Sequence, residues 1–291
     1  MVRASELTIE ERLPPRVIIR EHSPLELPHI LVLIDDGGSR VIEPLAESPG
    51  RKLYQTELMK GGGTVEGYAL GEEQIEGGLL PALESLADDA SSFLYAAGDG
   101  NHSLAAAKQV WESRKRTGAP MDHPSRWALV ELVNLYTPGL RFEPIHRLIA
   151  GPGTEEFHSR LAAATDEIAD STADFADAGS PEHPGTAAGT VRYVSNNGTA
   201  NYSLAGVEEL PVAFVDSLLA EVKQVSIDYI HGAEEAVRLA ADSAGAALLL
   251  PPIDRSLLFS TVERRGALPR KAFSLGHSEE KRYYMEARRI E

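Results

Sequence analysis

The sequence predicts an α/β fold, a layered mixed sheet built from strand, loop, helix, strand units, with a β-hairpin in its second part. Three observations carry this. A short apolar run at 93–97 leads into the polar glycine stretch AGDGNHSL at 97–104, then LAAAKQVWESRKR, rich in strong helix formers, then a second apolar run at 127–135. SIDYIHG, AEEAVRLAADSAG and AALLLPPI repeat that order near the end. Between them, TVRYVSNNGTANYSLAG places two alternating runs around Asn197-Gly198, a strong hairpin signal.

The elements follow from local chemistry. Residues 16–20 and 29–34 are β-rich runs whose prolines fall in the connections, so both are predicted strands. Asp35-Asp36-Gly37-Gly38 predicts a turn into a hairpin partner at 40–42, and the stretch through Lys60-Gly61-Gly62-Gly63 reads as a polar connection. Residues 79–87 are predicted helical. The helix after AGDGNHSL has a clear stop, because Arg114, Lys115 and Arg116 suit its negative end and Gly118 and Pro120 terminate it. With the strand that follows, it has the pattern of a parallel crossover. Residues 155–169 predict a helix, and the Gly, Pro, Ala and Asp-rich remainder of 151–189 a mobile connection. Pro211 starts a helix to about Val222. EKRYYMEARR near the C-terminus reads as an amphipathic closing helix. A chain of 291 residues holds roughly two domains of ordinary size, expected at 1–150 and 151–291.

Composition removes whole classes of function. Hydrophobic content of 43% with 25% charged residues is that of a folded globular chain. The absence of cysteine removes disulfides, thiolate metal sites and cysteine nucleophiles together, and fits a reducing cytoplasm. With 44 acids against 28 bases the formal charge is -16, which repels a phosphate backbone at long range. Nucleic acid is therefore not expected as a partner. The longest apolar runs, 30–34 and 246–250, fall far short of a membrane span, and the first residues lack the apolar core of a signal peptide. The expected setting is cytoplasmic and the expected partner a small molecule; assembly into a homo-oligomer stays open.

AGDGNHSL holds more chemistry than a turn needs. In a layered α/β domain, ligands sit beyond the carboxyl ends of strands, where helix N-termini present unpaired N–H groups. Gly98 and Gly100 permit positive φ and close approach of another molecule to the backbone. The N–H groups from Asn101 through Ser103 to Leu104 can hold a phosphate or carboxylate, and His102 can donate to that anion. Asp99 would repel it and needs another role: magnesium ligand, general base towards a substrate hydroxyl, or orienter of His102. The plainer alternative is that Asp99 or Asn101 caps the helix and the glycines make a tight turn. The loop is neither a P-loop nor a dinucleotide fingerprint. Ser103 can be placed as a nucleophile, but the sequence assigns it no base.

A second constellation is Glu143-Pro-Ile-His146-Arg147. If extended, it puts Glu143, Ile145 and Arg147 on one face and His146 on the other. Its plainer reading is an edge-strand ion pair between Glu143 and Arg147. His231 closes SIDYIHG at a junction equivalent to that of His102, as a ligand contact or as a cap or core hydrogen-bonding group. Arg3, Arg12, Arg16 and Arg20 cluster in an otherwise acidic chain. On a strand, Arg16 and Arg20 share a face that grips an anion or forms a solvated, ion-paired edge.

Several stretches carry a family resemblance. VRASELTIEERLPPRVIIRE, LELPHILVLIDD, AAGDGNHSLAAAKQVWE, ALVELVNLY with FEPIHR, DYIHG, and LLLPPIDRSLLF through ALPRKAFS to EKRYYMEARR together resemble the prokaryotic family called domain of unknown function 1015. Members carry a further N-terminal segment, so the resemblance implies a chain lacking that beginning. More distantly, the glycine and histidine pattern entering a helix is similar to the phosphate-binding motif of free-serine kinases, sulfiredoxins and ParB-like domains. That motif has a His-Arg pair on nucleotide phosphates; here His102 takes the histidine place and Ser103 the arginine place, so Lys108 or an N-terminal arginine must compensate. The resemblance implies a ParB/sulfiredoxin-like first region. Sulfiredoxin chemistry needs a cysteine, and ParB-like DNA association conflicts with the charge. What remains is phosphoryl transfer with ATP or ADP and magnesium on a hydroxylated metabolite, free serine or phosphoserine leading, with Asp99, His102, Glu143 and His146 as catalytic candidates. Gly98, Gly100, Asn101, Ser103, Arg147, Arg16 and His231 are the corresponding ligand-binding candidates. The alternative is a non-catalytic nucleotide or metabolite-binding regulator.

Overall fold

The computed structural model describes residues 2–89, 93–168, 189–207, 209–276 and 283–291. The chain runs β1 (Val2–Ala4), α1 (Leu13–Glu21), β2 (Leu25–Glu26), β3 (Ile30–Ile34), α2 (Glu43–Glu47), β4 (Arg51–Glu57), β5 (Thr64–Ala69), α3 (Glu72–Gln74), α4 (Leu80–Asp89), β6 (Tyr95–Asp99), α5 (Asn101–Arg116) and β7 (Val130–Asn134). It continues with β8 (Phe142–Ala150), α6 (Thr154–Ala164), β9 (Asp166–Ile168), β10 (Thr190–Ser195), β11 (Gly198–Ser203), α7 (Pro211–Ala220), β12 (Ser226–His231), α8 (Ala233–Ser243), β13 (Ala246–Leu249), α9 (Leu258–Arg265), β14 (Phe273–Leu275) and β15 (Arg288–Arg289). This is the mixed α/β class that the sequence predicts.

The chain divides into two compact units, Met1–Leu140 with Val262–Ala267 and His277–Glu291, and Arg141–Thr261 with Leu268–Gly276. The sequence set its division at 150. The structure puts all of β8 in the second unit, because β8 pairs there with β12, β13 and β14.

The first unit holds a four-stranded sheet of order β1-β6-β3-β7. β1 is parallel to β6 and β3 to β7, while β3 and β6 are antiparallel. β6 and β7 therefore run in opposite directions, and β6-α5-β7 is not the parallel crossover that its element order implies. β3 reads ILVLI and is buried along nearly its whole length, the pattern that cover on both faces produces. Val41 and Leu86 pack against Ile34. α5 lies against β3 with Ala106, Ala107, Val110 and Trp111 buried.

Three local expectations are corrected in this unit. Residues 16–20 are helical, because Pro14 falls in the first turn of α1, where its missing N–H leaves no bond unmade and its φ is already helical. Arg16 and Arg20 still share a side, since positions i and i+4 are neighbours on a helix. Residues 40–42 do not form a strand. The fully buried Asp36 takes their backbone instead: its Oδ2 accepts the N–H groups of Arg40 at 2.6 Å and Val41 at 2.8 Å. Asn134 Nδ2 then donates to Asp36 O and to Glu43 Oε1, both at 2.9 Å, fixing the start of α2. The supposed polar connection contains the antiparallel hairpin β4–β5. Its signal is faint because the inward position Gly67 carries no side chain; a Cβ there would lie 2.2 Å from the Tyr54 ring.

Of EKRYYMEARR, residues 280–282 lie outside the described residues, and the rest forms no helix. β15 instead pairs with β2, with Arg288 opposite Glu26. The buried Glu26 carboxylate receives Arg20 at 2.6 Å and Arg288 Nε at 2.9 Å.

The second unit is a sheet of order β12-β8-β13-β10-β11-β9, with β14 also on β8. β12 and β13 are both antiparallel to β8, hence parallel to each other, and α8 connects them across it. Ala236 and Ala240 of α8 are buried with Leu148, Ala247 and Leu249. The hairpin β10–β11 forms as expected, with Ser195 opposite Gly198 and Asn196-Asn197 at the turn. The connection expected towards 189 falls largely at 169–188, outside the described residues. No helix among the described residues is long and apolar enough to cross a membrane.

Replacing Asp36 with Ala leaves a buried N–H and its neighbour without an acceptor. Urea denaturation is expected to show a loss of about 2 kcal/mol, against less than about 0.5 kcal/mol for Asp35→Ala.

Candidate functional site

β6 passes into α5 through one residue, Gly100, at φ 78° and ψ 20°. A side chain is disfavoured there twice. The backbone is left-handed, and a Cβ would lie 2.8 Å from Ile30 Cα and 2.9 Å from His29 O. Gly98 has a different use from the one read in the sequence. Leu31 pairs with Asp99 and Val32 with Ala97, so Gly98 is the extra residue of a bulge, a device that bends a strand and re-aims the chain beyond it.

Neither Asp99 nor Asn101 caps the helix: the N-cap is Gly100, with no side-chain cap bond. Asp99 Oδ1 accepts the Gly100 N–H at 2.7 Å. The N–H groups of Ser103 and Leu104 turn back to Gly100 O at 2.9 and 3.0 Å. Those of Asn101 and His102 have no partner among the described residues and stand at the positive end of α5. Asn101 Nδ2 donates to Glu6 O at 3.1 Å, while its Oδ1 is enclosed and unpartnered.

His102 Nε2 accepts the Ile9 N–H at 3.1 Å, which leaves the ring proton on Nδ1. Burial, then the charges of Arg16 and Arg12, hold its pKa below the ordinary 6.5. The ring is neutral at pH 7, and Nδ1–H is its donor. The positive charge beside it belongs to Arg12 and Arg16, carried on and just before α1, which packs along α5. Arg20 is engaged elsewhere, with Glu26. Ser103 Oγ lies 2.5 Å from His29 Nε2, a pairing the sequence did not reveal. His29 carries no local signal; the bulge in β6 and the tight turn at Gly100 set it beside α5.

Glu143, His146, Arg147 and His231 belong to the second unit, where Ile230 pairs with His146 and His231 with Ile145. Arg147 is fully buried: Nε and an Nη bond the two oxygens of Asp216, both at 2.9 Å, and the other Nη donates to Ile145 O and Lys271 O at 2.7 and 3.0 Å. Its guanidinium also lies 4.7 Å from the Tyr229 ring centroid. The expected Glu143–Arg147 edge pair is not formed, because β8 runs between β12 and β13 and Asp216 on α7 takes the charge. His146 is 1% exposed and its Nδ1 accepts the Leu250 N–H at 3.1 Å. Burial, then Arg147 and His231, lower its pKa to about 4. Glu143 is half-buried opposite Ser274. His231 is exposed, next to Gly232 at φ 84°, which begins α8. That junction shares the positive φ of Gly100 but not its ψ, which is 128° here against 20° there, and Glu234 and Glu235 in the first turn oppose an anion. Among the described residues, no group of three or more His, Asp or Glu is placed to hold a metal ion.

Residues 1–226 match the family model described as protein of unknown function (DUF1015). The chain belongs to the DUF1015 family. It is the family that the residue motifs resemble. A comparison with curated proteins finds no match. Among solved structures, a mutant free serine kinase in complex with ADP is 12% identical with a TM-score of 0.49, over 94% of this chain and 83% of that one. A conserved hypothetical protein from Pyrococcus furiosus is 11% identical with a TM-score of 0.44, over 94% and 86%. SbnI with a C-terminal truncation, from Staphylococcus aureus, is 10% identical with a TM-score of 0.47, over 94% and 79%.

Gly100→Ala combines a strained φ with a backbone clash, and equilibrium denaturation is expected to show a loss of about 2–4 kcal/mol. Gly118→Ala, at φ 93° in open space, should lose only about 1 kcal/mol.

For His146, the unfolded chain binds the proton near pH 6.5 and the folded chain only near 4, so stability is full above the first value and falls as pH drops towards the second. The wild type is expected to lose on the order of 3 kcal/mol across that window through this residue. His146→Asn, which keeps an acceptor but does not titrate, should flatten the urea-midpoint profile between these pH values.

Proposed function

We propose that the first unit binds the phosphate of a small phosphorylated ligand at the start of α5, and that the protein is a phosphotransferase. The substrate class is a hydroxylated metabolite, with free serine or phosphoserine leading and ATP or ADP as nucleotide. The supporting observation is the set of unpartnered N–H groups of Asn101 and His102, opening from a glycine turn beside Arg12 and Arg16. Backbone N–H groups at a helix's positive end favour an anion. The arginines supply the charge that Ser103 does not, and His102 Nδ1–H adds a neutral donor.

Asp99 has two uses in this reading. Magnesium is held through one or two carboxylates together with phosphate oxygens and waters, so a single exposed carboxylate at the end of β6 fits it. The ion would offset phosphate charge. Alternatively, Asp99 receives the proton of the acceptor hydroxyl. His146 and Arg147 are engaged in hydrogen bonds inside the second unit, and the reading draws on neither of them, nor on Glu143 or His231. A small ligand in the cytoplasm suits a chain of formal charge -16 better than nucleic acid does.

A regulator that binds nucleotide without turnover would use the same turn. It is favoured by one observation, serine standing where the resembled motif has arginine.

Titration calorimetry with ADP and magnesium, beside assays for phosphate exchange between ATP and serine in both directions, tests the proposal. Arg12→Ala with Arg16→Ala is expected to weaken ADP binding about tenfold or more, roughly 1.4 kcal/mol, and to reduce its salt dependence. Undiminished affinity in that double variant would place the phosphate elsewhere. Binding with no exchange in either direction would select the regulator.

A further inference from the structure

We propose that Ser103 is a nucleophile activated by His29, which takes a phosphoryl group from the nucleotide and then passes it to the acceptor. The inference rests on the phosphate-binding reading of the α5 turn. Ser103 Oγ and His29 Nε2 are 2.5 Å apart. His29 Nδ1 lies 3.4 Å from Leu27 O, and in the tautomer that donates there the lone pair of Nε2 faces the hydroxyl. Serine is then the donor and imidazole the acceptor, the arrangement in which a serine oxygen gains nucleophilic character as its proton leaves.

The fold builds this pair from positions 74 residues apart in the chain. His29 is the last residue before β3, and Ser103 stands in the first turn of α5. The approach of Gly100 to Ile30 Cα and His29 O holds the two elements together. His29 is exposed and Ser103 half-buried, so the pair is open to a ligand. The Tyr284 ring stands edge-on to His29 with centroids 6.3 Å apart, limiting the tilt of the imidazole. A phosphoryl oxygen on the Asn101 and His102 N–H groups is held in the same helical turn as Oγ.

In the first half-reaction, Ser103 Oγ attacks the terminal phosphorus of a nucleoside triphosphate. The Oγ–P bond forms while the bond from phosphorus to the bridging oxygen breaks, and that oxygen leaves with the electron pair on the nucleoside diphosphate. The serine proton passes to His29 Nε2. In the second half, the acceptor hydroxyl oxygen attacks the phosphoserine and the Oγ–P bond breaks. Oγ recovers its proton from His29, and the acceptor's proton is released to solvent.

A covalent intermediate requires exchange without an acceptor. The full chain, with ATP, magnesium and isotopically labelled ADP but no serine, is expected to move label into ATP. Peptide mass spectrometry is expected to find one phosphoryl group on Ser103. Ser103→Ala should abolish both, with circular dichroism showing that α5 is retained. His29→Gln, which keeps a hydrogen-bonding group but accepts no proton, should slow exchange by about 100-fold or more. Stabilisation of the wild-type chain by ADP in a thermal melt, without exchange or label, would overturn the covalent step and leave the phosphate site standing. Exchange by Ser103→Ala at the wild-type rate would also overturn it. Absence of both stabilisation and exchange in the wild type would overturn both readings.

Discussion

The contact between the Gly100 backbone and the first residues of β3 governs the geometry of the first unit's candidate site. No residue with a Cβ fits between Gly100 and Ile30 Cα, so the end of β6 turns directly beneath the start of α5. The bulge at Gly98 makes this turn compatible with antiparallel pairing, since it lets Asp99 recover a partner in Leu31 after the register has slipped. This one approach sets the direction of α5 and the meeting of His29 with Ser103.

Electrostatics then sets the charge beside the turn. The chain is strongly acidic, yet Arg12 and Arg16 stand beside His102, near enough to lower its pKa, while burial disfavours the charged ring first. A neutral His102 is able to accept the Ile9 N–H, and that bond ties the segment leaving β1 to the helix. Ser5 Oγ on Ala97 O and Asn101 Nδ2 on Glu6 O fasten the same segment. Arg20, one helical turn beyond Arg16, is withdrawn from this field by Glu26, which also receives Arg288. Equal residue types thus serve different ends according to which carboxylate lies within reach.

The second unit shows the opposite treatment of charge. Arg147 is enclosed, and a buried guanidinium persists only with its charge matched and its N–H groups bonded. Asp216 and the carbonyls of Ile145 and Lys271 meet that requirement. His146, facing the other way on the same strand, stays neutral and serves as an acceptor for the chain beyond β13. Two members of the motif, His146 and Arg147, are thus engaged in interior hydrogen bonds.

The sequence by itself determined the α/β class, the apolar strands at β3, β6, β7 and β13, the helix stop after Arg116, and the hairpin β10–β11. These depend on periodicity, propensity and turn chemistry, which act over a few residues. It also marked Gly98 to Ser103 as unusual, because no local structure needs that density of polar and glycine positions. Tertiary structure decided what those residues do. Whether Arg16 lies on a strand or a helix turned on the first-turn position of Pro14; whether residues 40–42 pair in a sheet turned on the buried carboxylate of Asp36. The partner of Arg147 is 69 residues away and that of Ser103 is 74, and no short-range pattern records such pairings. Backbone packing at a few close contacts sets them, and it leaves only a glycine in the sequence as its trace.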